Sequence, residues 1–150
     1  MAHFTLQELV QSPTAEKLKI DNTPTAAIRV HLTETIGLLE DIRREWGLYC
    51  EENDLGTPAI RVSSGYRSPA LNKAVGGVRT SAHTLGYAAD LVPVNGMQDE
   101  FEKFMSQVFA GKGYAYDQII VEKSKTSRWV HVGYKKADGS QRRECFKLNV

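Results

Sequence analysis

The chain has little of what marks several common protein classes. Its 150 residues include only two cysteines, Cys50 and Cys145, far apart and without CxxC spacing. Two reduced, partly buried thiols are therefore expected, with a single disulfide between them as the alternative. The formal net charge is only +1, which gives no basic field for nucleic acid or a membrane surface. No stretch is long and apolar enough to span a bilayer. The opening MAHFTLQELVQSP lacks the basic n-region and continuous apolar h-region of an export signal, so synthesis in the cytoplasm is expected. Internal repeats, low-complexity tracts and Pro/Ser-rich linkers are also missing, and with them any sign of a second module.

What is present suits one domain over residues 1–150 with one core, and a monomer is expected: 41% of residues are hydrophobic and 25% charged. Thr5 to Gln11 reads as a short helix, and IDNTP leads into a long one, with Thr23 as cap and Pro24 in the first turn. Ile28, Leu32, Thr35, Leu39, Ile42, Trp46 and Tyr49 then recur every three or four residues, which is one buried helix face. NDLGTP breaks that pattern, and AIRVSS reads as a strand that delivers GYRS at its end. PALNKAV is a short helix stopped by Gly76 and Gly77. A further helix from Met97 to Phe109 buries Phe101, Phe104, Met105 and Val108, and strands follow near Tyr116–Glu122, Arg128–Tyr134 and Arg142–Leu148. This order predicts an α+β domain with helices packed on a mainly antiparallel sheet.

The chemistry concentrates in SAHTLGYAAD, Ser81 to Asp90, and in WVHVGY around His131. Zinc takes tetrahedral N, S or O ligands, and a hydrolytic site uses three from the protein and keeps one position open. His83, Asp90 and His131 supply two imidazoles and a carboxylate, a set that suits activation of water and polarisation of a carbonyl. Gly86 permits a turn of positive φ between the first two ligands, and Ala88 is small where backbone or metal must approach Asp90. His3 and His31 have no such setting and read as ordinary core or surface residues.

Strand parity extends the site. Val130 and Val132 take the core face and Trp129, His131 and Gly133 the other; Ile119 and Val121 face the core while Gln118, Ile120 and Glu122 oppose it. A turn over Ser124–Ser127 pairs Glu122 with Trp129 and Ile120 with His131, which sets Glu122 diagonally beside His131 as candidate general base. Asp117 is the alternative base, although its parity is that of the apolar face, where it would orient the strand or a ligand. Arg67 ends a strand, and its planar fork suits a substrate carboxylate or a developing oxyanion. Tyr66, Asn72, Gln118 and Trp129 are candidates for lining the cleft.

These motifs resemble the zinc D-alanyl-D-alanine peptidases, which share their fold with the Hedgehog signalling domain. The matching residues are SGYRS (Ser64 to Ser68), Gly76 and Gly77, the Ser-x-His-x-x-Gly-x-Ala-x-Asp pattern from Ser81 to Asp90, DQIIVE (Asp117 to Glu122) and WVH (Trp129 to His131). The opening FTLQELVQSPTAEKLKIDNTP is similar to the phage and prophage branch of that family. The resemblance implies one Zn2+, a peptidase acting on peptidoglycan stem peptides with D-amino acids, an Arg67 that binds substrate or oxyanion, and a Ser81 that hydrogen-bonds substrate. It also implies action on the cell wall, reached through phage-type lysis. The chain departs from the pattern at one place: several members carry an acid three positions before the last histidine, and here Arg128 stands there. A zinc-containing module that binds wall peptides without cutting them is the alternative reading.

Overall fold

Thr5 caps the first helix, α1 (Leu6–Val10), by accepting from the Glu8 N–H, and Ser12 caps α2 (Pro13–Leu18), which has Pro13 in its first turn. The computed structural model describes residues 2–150. The sequence pattern predicts one short helix here; Pro13 starts a second, which ends at Lys19 in the left-handed region, φ 55°. The long helix α3 (Ala26–Asn53) begins two residues later than a Thr23 cap would start it, which leaves Pro24 before the helix instead of in its first turn. Asp21 captures the Thr23 N–H, and Thr25 becomes the cap by accepting from the Ile28 N–H.

Leu32, Thr35, Leu39, Ile42 and Trp46 lie buried along α3 as their spacing requires, joined by Leu38 and Cys50, with Ile28 and Tyr49 packed at the margin. Trp46 meets Phe101 edge-on and Phe104 obliquely, ring centroids 5.1 and 5.2 Å away. These aromatics come from α5 (Gln98–Lys103), which widens into a π turn over Phe104–Val108 and tightens into a 3-10 turn over Phe109–Gly111. The predicted single helix is thus irregular in its second half. A π turn brings residues five apart onto one face, and Phe104 and Phe109 both reach full burial there.

Five strands form one sheet: β1 (Ile60–Ser64), β2 (Ala88–Pro93), β3 (Gln118–Lys123), β4 (Arg128–Gly133) and β5 (Glu144–Asn149), in the order β1-β2-β4-β3-β5. Between β1 and β2 lie the short helix α4 (Pro69–Ala74) and a 3-10 turn over Ala82–Leu85. Three pairings are antiparallel, and β5 runs parallel to β3, so the sheet is mixed. The reason is topological. β2 and β3 already occupy both edges of β4, so the chain leaving β4 crosses to the free edge of β3 and arrives in the same direction as that strand.

The register of β3 and β4 follows the side-chain parity, with Glu122 opposite Trp129 and Ile120 opposite His131. Leu91, Ile119, Val121, Val130 and Val132 turn to the helices and form the core; the opposite face carries the site. Both cysteines are free. Cys50 is buried on α3, but Cys145 is exposed rather than partly buried, because no helix covers β5. Among the described residues no helix is long and apolar enough to cross a membrane.

Candidate active site

The loop after β1 is clamped before any ligand is considered. A Cβ at Gly65 would collide with the Leu9 carbonyl, so only glycine lets α1 pack there, and that carbonyl accepts from the Tyr66 N–H at 2.7 Å. Buried Asn22 braces the same loop, donating to the Val10 and Tyr66 carbonyls and accepting from the Ser68 N–H at 2.7 Å. The loop also meets the 3-10 turn: Arg67 N–H donates to the His83 carbonyl at 3.1 Å, and the Gly65 carbonyl sits 2.7 Å from His83 Nδ1.

That last contact determines which histidine nitrogen is available. A carbonyl can only accept, so Nδ1 carries the proton and Nε2 is left with its lone pair, the arrangement that readies an imidazole for a metal. Ser81 caps the turn by accepting from the His83 N–H, and Gly86 closes it at φ 77°. The Gly86 carbonyl accepts from Thr35 Oγ1 at 2.7 Å, which fixes the turn to α3. His31 is structural: its Nδ1 binds the Leu85 carbonyl and its ring stacks on Tyr87 at 4.2 Å.

Asp90 on β2 pairs with His131 on β4 and with Ser64 on β1, and the three ligand atoms of His83, Asp90 and His131 lie within 4.8 Å of one another. Asp90 Oδ1 is 3.3 Å from His83 Nε2 and 3.0 Å from His131 Nδ1. A tetrahedron with bonds of about 2.0 Å has edges of about 3.3 Å, so these donors have the spacing and the chemistry of a zinc site. Burial opposes charge on Asp90, but its two neighbouring histidines, His83 foremost, outweigh it and hold the carboxyl far below its ordinary value. It is therefore a carboxylate, as a ligand must be.

Arg67 stands beside this cluster, Nη2 3.7 Å from Asp90 Oδ2, with Nε donating to Ser64 Oγ and Nη1 to Asn72 Oδ1. Burial lowers its pKa, while Asp90 and Glu122 pull it back up; a guanidinium stays charged all the same. Asn72 is itself buried and donates to the Val78 carbonyl at 2.8 Å, so it positions Arg67 rather than lining open space. A Cβ at Gly77 would collide with Asn72 Oδ1 and press on Arg67 Nη1. Gly77→Ala is accordingly expected to displace the Asn72–Arg67 pair at a cost of about 1–3 kcal/mol, read as a lower Tm together with weaker substrate binding.

The remaining sequence candidates are distributed around one cleft of about 960 Å³, lined by Arg67, Ser81, His83, Asp90, Glu122 and His131 among others. Trp129 is half-buried, and its indole N–H donates to Glu122 Oε2. Gln118 reaches across to Glu144 Oε1 at 2.9 Å, and Tyr66 is largely buried. Asp117 is only 1% exposed, and Arg142 binds it through Nη2 at 2.7 Å, Nε at 3.0 Å and its backbone N–H at 2.8 Å. Burial raises its pKa, yet the hydrogen bonds and charge of Arg142 prevail and hold it below the ordinary value. Its carboxylate is thus engaged by Arg142, whereas Glu122 has one oxygen without a hydrogen bond to the protein. Arg128 donates to Asp99 and Glu102, tying β4 to α5. Sequence reasoning does not reach Ser64, Asn22 or the Asn72–Gly77 contact, since each acts through partners that only folding brings near.

The family model described as Peptidase M15 matches residues 2–133 of the chain. Comparison with curated proteins finds no match.

Proposed function

The chain belongs to the peptidase M15 family, and on that footing we propose that it is a zinc-dependent peptidase hydrolysing D-amino-acid-containing stem peptides or cross-links of peptidoglycan. The observation that carries this reading is the His83–Asp90–His131 cluster in a cleft that also holds Glu122 and Arg67. Zinc bound by these three residues supplies Lewis acidity to a carbonyl and lowers the pKa of a water molecule. Glu122 takes the proton from the attacking water and hands it to the leaving amine, with Trp129 holding its other oxygen in place. Arg67, pre-set by Ser64 and Asn72, presents its fork to the substrate carboxylate or to the oxyanion. Ser81, whose Oγ already caps the turn of His83, offers its hydroxyl proton to the peptide. Gln118 and Trp129 border the path of the chain. The proposal extends to a monomer made in the cytoplasm, and the resemblance of the opening segment to phage and prophage peptidases supports access to the wall on lysis.

Arg128, where several relatives by resemblance carry an acid, favours a second reading, a zinc-containing module that binds wall peptides without cutting them. Digestion of purified peptidoglycan with and without chelator, followed by mass spectrometry, separates the two. Chelator-sensitive release of D-alanine or stem-peptide fragments is expected, with an all-L peptide of the same composition cut poorly or not at all. If zinc-loaded protein leaves wall and stem peptides intact yet binds them with an affinity that Arg67→Ala weakens, the binding module is correct. Neither cutting nor binding removes both.

A further inference from the structure

The C-terminal strand β5 reverses the polarity that governs the core strands. On β3 and β4 the apolar pairs Ile119 and Val121, Val130 and Val132 turn to the helices. On β5 the parity is the other way round. Its parallel pairing sets Glu144 beside Gln118, Phe146 beside Ile120 and Leu148 beside Glu122, and residues in register share a face. The Gln118–Glu144 hydrogen bond lies on that face. Phe146 and Leu148 therefore project from the sheet face of Ile120 and Glu122, beyond the residues that line the cleft, 40% and 42% exposed, while Lys147 and Asn149 take the helix-side parity. No core explains them, since every residue of β5 is exposed, and apolar side chains on an open edge strand are a liability that sequences ordinarily avoid.

The rows of the sheet show what these two residues continue. His131, Ile120 and Phe146 stand in one row, and Trp129, Glu122 and Leu148 in the next. Val150, the residue after the strand, lines the cleft and is tied by its N–H to the Lys123 carbonyl at 2.8 Å. β5 lies after residue 133, where the family match stops.

We propose that Phe146 and Leu148 form an apolar subsite for the aliphatic part of an extended substrate peptide, an assignment that rests on the peptidase reading. Strands are spaced by about 4.8 Å, which puts Phe146 about 10 Å from His131, and an extended peptide rises about 3.3 Å per residue. A substrate peptide laid along that row, across the strands, meets this apolar shelf about three residues from the scissile bond. A peptide that stops closer to the cut does not reach it.

The test compares zinc-loaded wild type with the double variant Phe146→Ser/Leu148→Ser on stem peptides of increasing length, after thermal melts establish that both are folded. For peptides extending three or more residues from the cut, KM is expected to rise about tenfold with kcat nearly constant, and the effect is confined to those peptides. The volume-conserving swap Phe146→Leu/Leu148→Phe is expected to restore most of the affinity. The same substitutions in a Glu122→Gln background, read by calorimetry with uncut peptide, give the length dependence without turnover. An equal loss for short and long peptides, or no loss for either, overturns the subsite. So does sedimentation showing a wild-type dimer that the double variant dissolves. If wild type cuts nothing, the peptidase reading fails, and the calorimetric length dependence alone decides on the shelf.

Discussion

His83→Ala and Asp90→Ala are each expected to abolish zinc binding, from about one ion per chain in wild type to essentially none, measured by elemental analysis of the purified protein. The three donors come from a 3-10 turn, β2 and β4, and they converge only in the folded domain. Zinc accordingly binds the native state in preference to the unfolded chain and stabilises it by about 2.7 kcal/mol at a hundredfold excess over Kd. For a chain of this size that is a Tm increase of about 5–10 °C, lost on adding chelator. Asp90→Ala carries an extra penalty, because it leaves the partly buried Arg67 guanidinium without its neighbouring carboxylate. Comparing His83→Ala with Asp90→Ala in the presence of chelator isolates that penalty from the metal. Full zinc occupancy in both variants would eliminate the proposed centre.

Glu122→Gln is expected to lower turnover by about two to four orders of magnitude while zinc content stays at the wild-type level, since the amide keeps the size of the side chain but cannot take a proton. Asp117→Asn makes the contrasting change. Its effect falls on stability, about 1–3 kcal/mol from weakening the bidentate contact with Arg142, with a much smaller effect on turnover. The pH dependence identifies it. The folded carboxyl titrates below its ordinary value of 3.8, so its contribution is fully present above that pH and is lost as pH falls through the lower, folded value. Asp117→Asn should therefore flatten the acid limb of a stability–pH curve and leave the neutral region lower. If Asp117→Asn abolishes turnover and Glu122→Gln does not, the two roles must be exchanged.

The parts of this site that are legible in the sequence are those with a short-range signature. Alternation along DQIIVEK and SRWVHVGY assigns faces, and a four-residue turn between them is enough to place Glu122 opposite Trp129 and Ile120 opposite His131. The Ser81–Asp90 motif carries its own turn chemistry, down to the positive φ at Gly86. What stays hidden depends on distant partners. The cap of α3 is the exception, a local competition in which Asp21, two residues back, takes the Thr23 N–H and Thr25 becomes the cap. Periodicity cannot show that the helix of Phe101 and Phe104 will widen into a π turn, because that depends on how Trp46 and Phe109 pack against it. The strand pattern near Arg142–Leu148 announces β5 but not its parallel partner, which is decided by which sheet edge is free. Arg128 likewise reads as a missing acid until Asp99 and Glu102 of α5 come beside it.

The contact between Gly65 and Leu9 gives the first ten residues a hold over chemistry that takes place elsewhere. Leu9 supports the loop whose carbonyl selects the tautomer of His83 and whose next residues carry Arg67. A protease that clips the chain ahead of Ser12 would leave every zinc ligand, the base and the cleft floor intact and still disarm the centre, because the backbone that aims two of its side chains would lose its anchor. Fusion tags that pull on the same end act on the same lever.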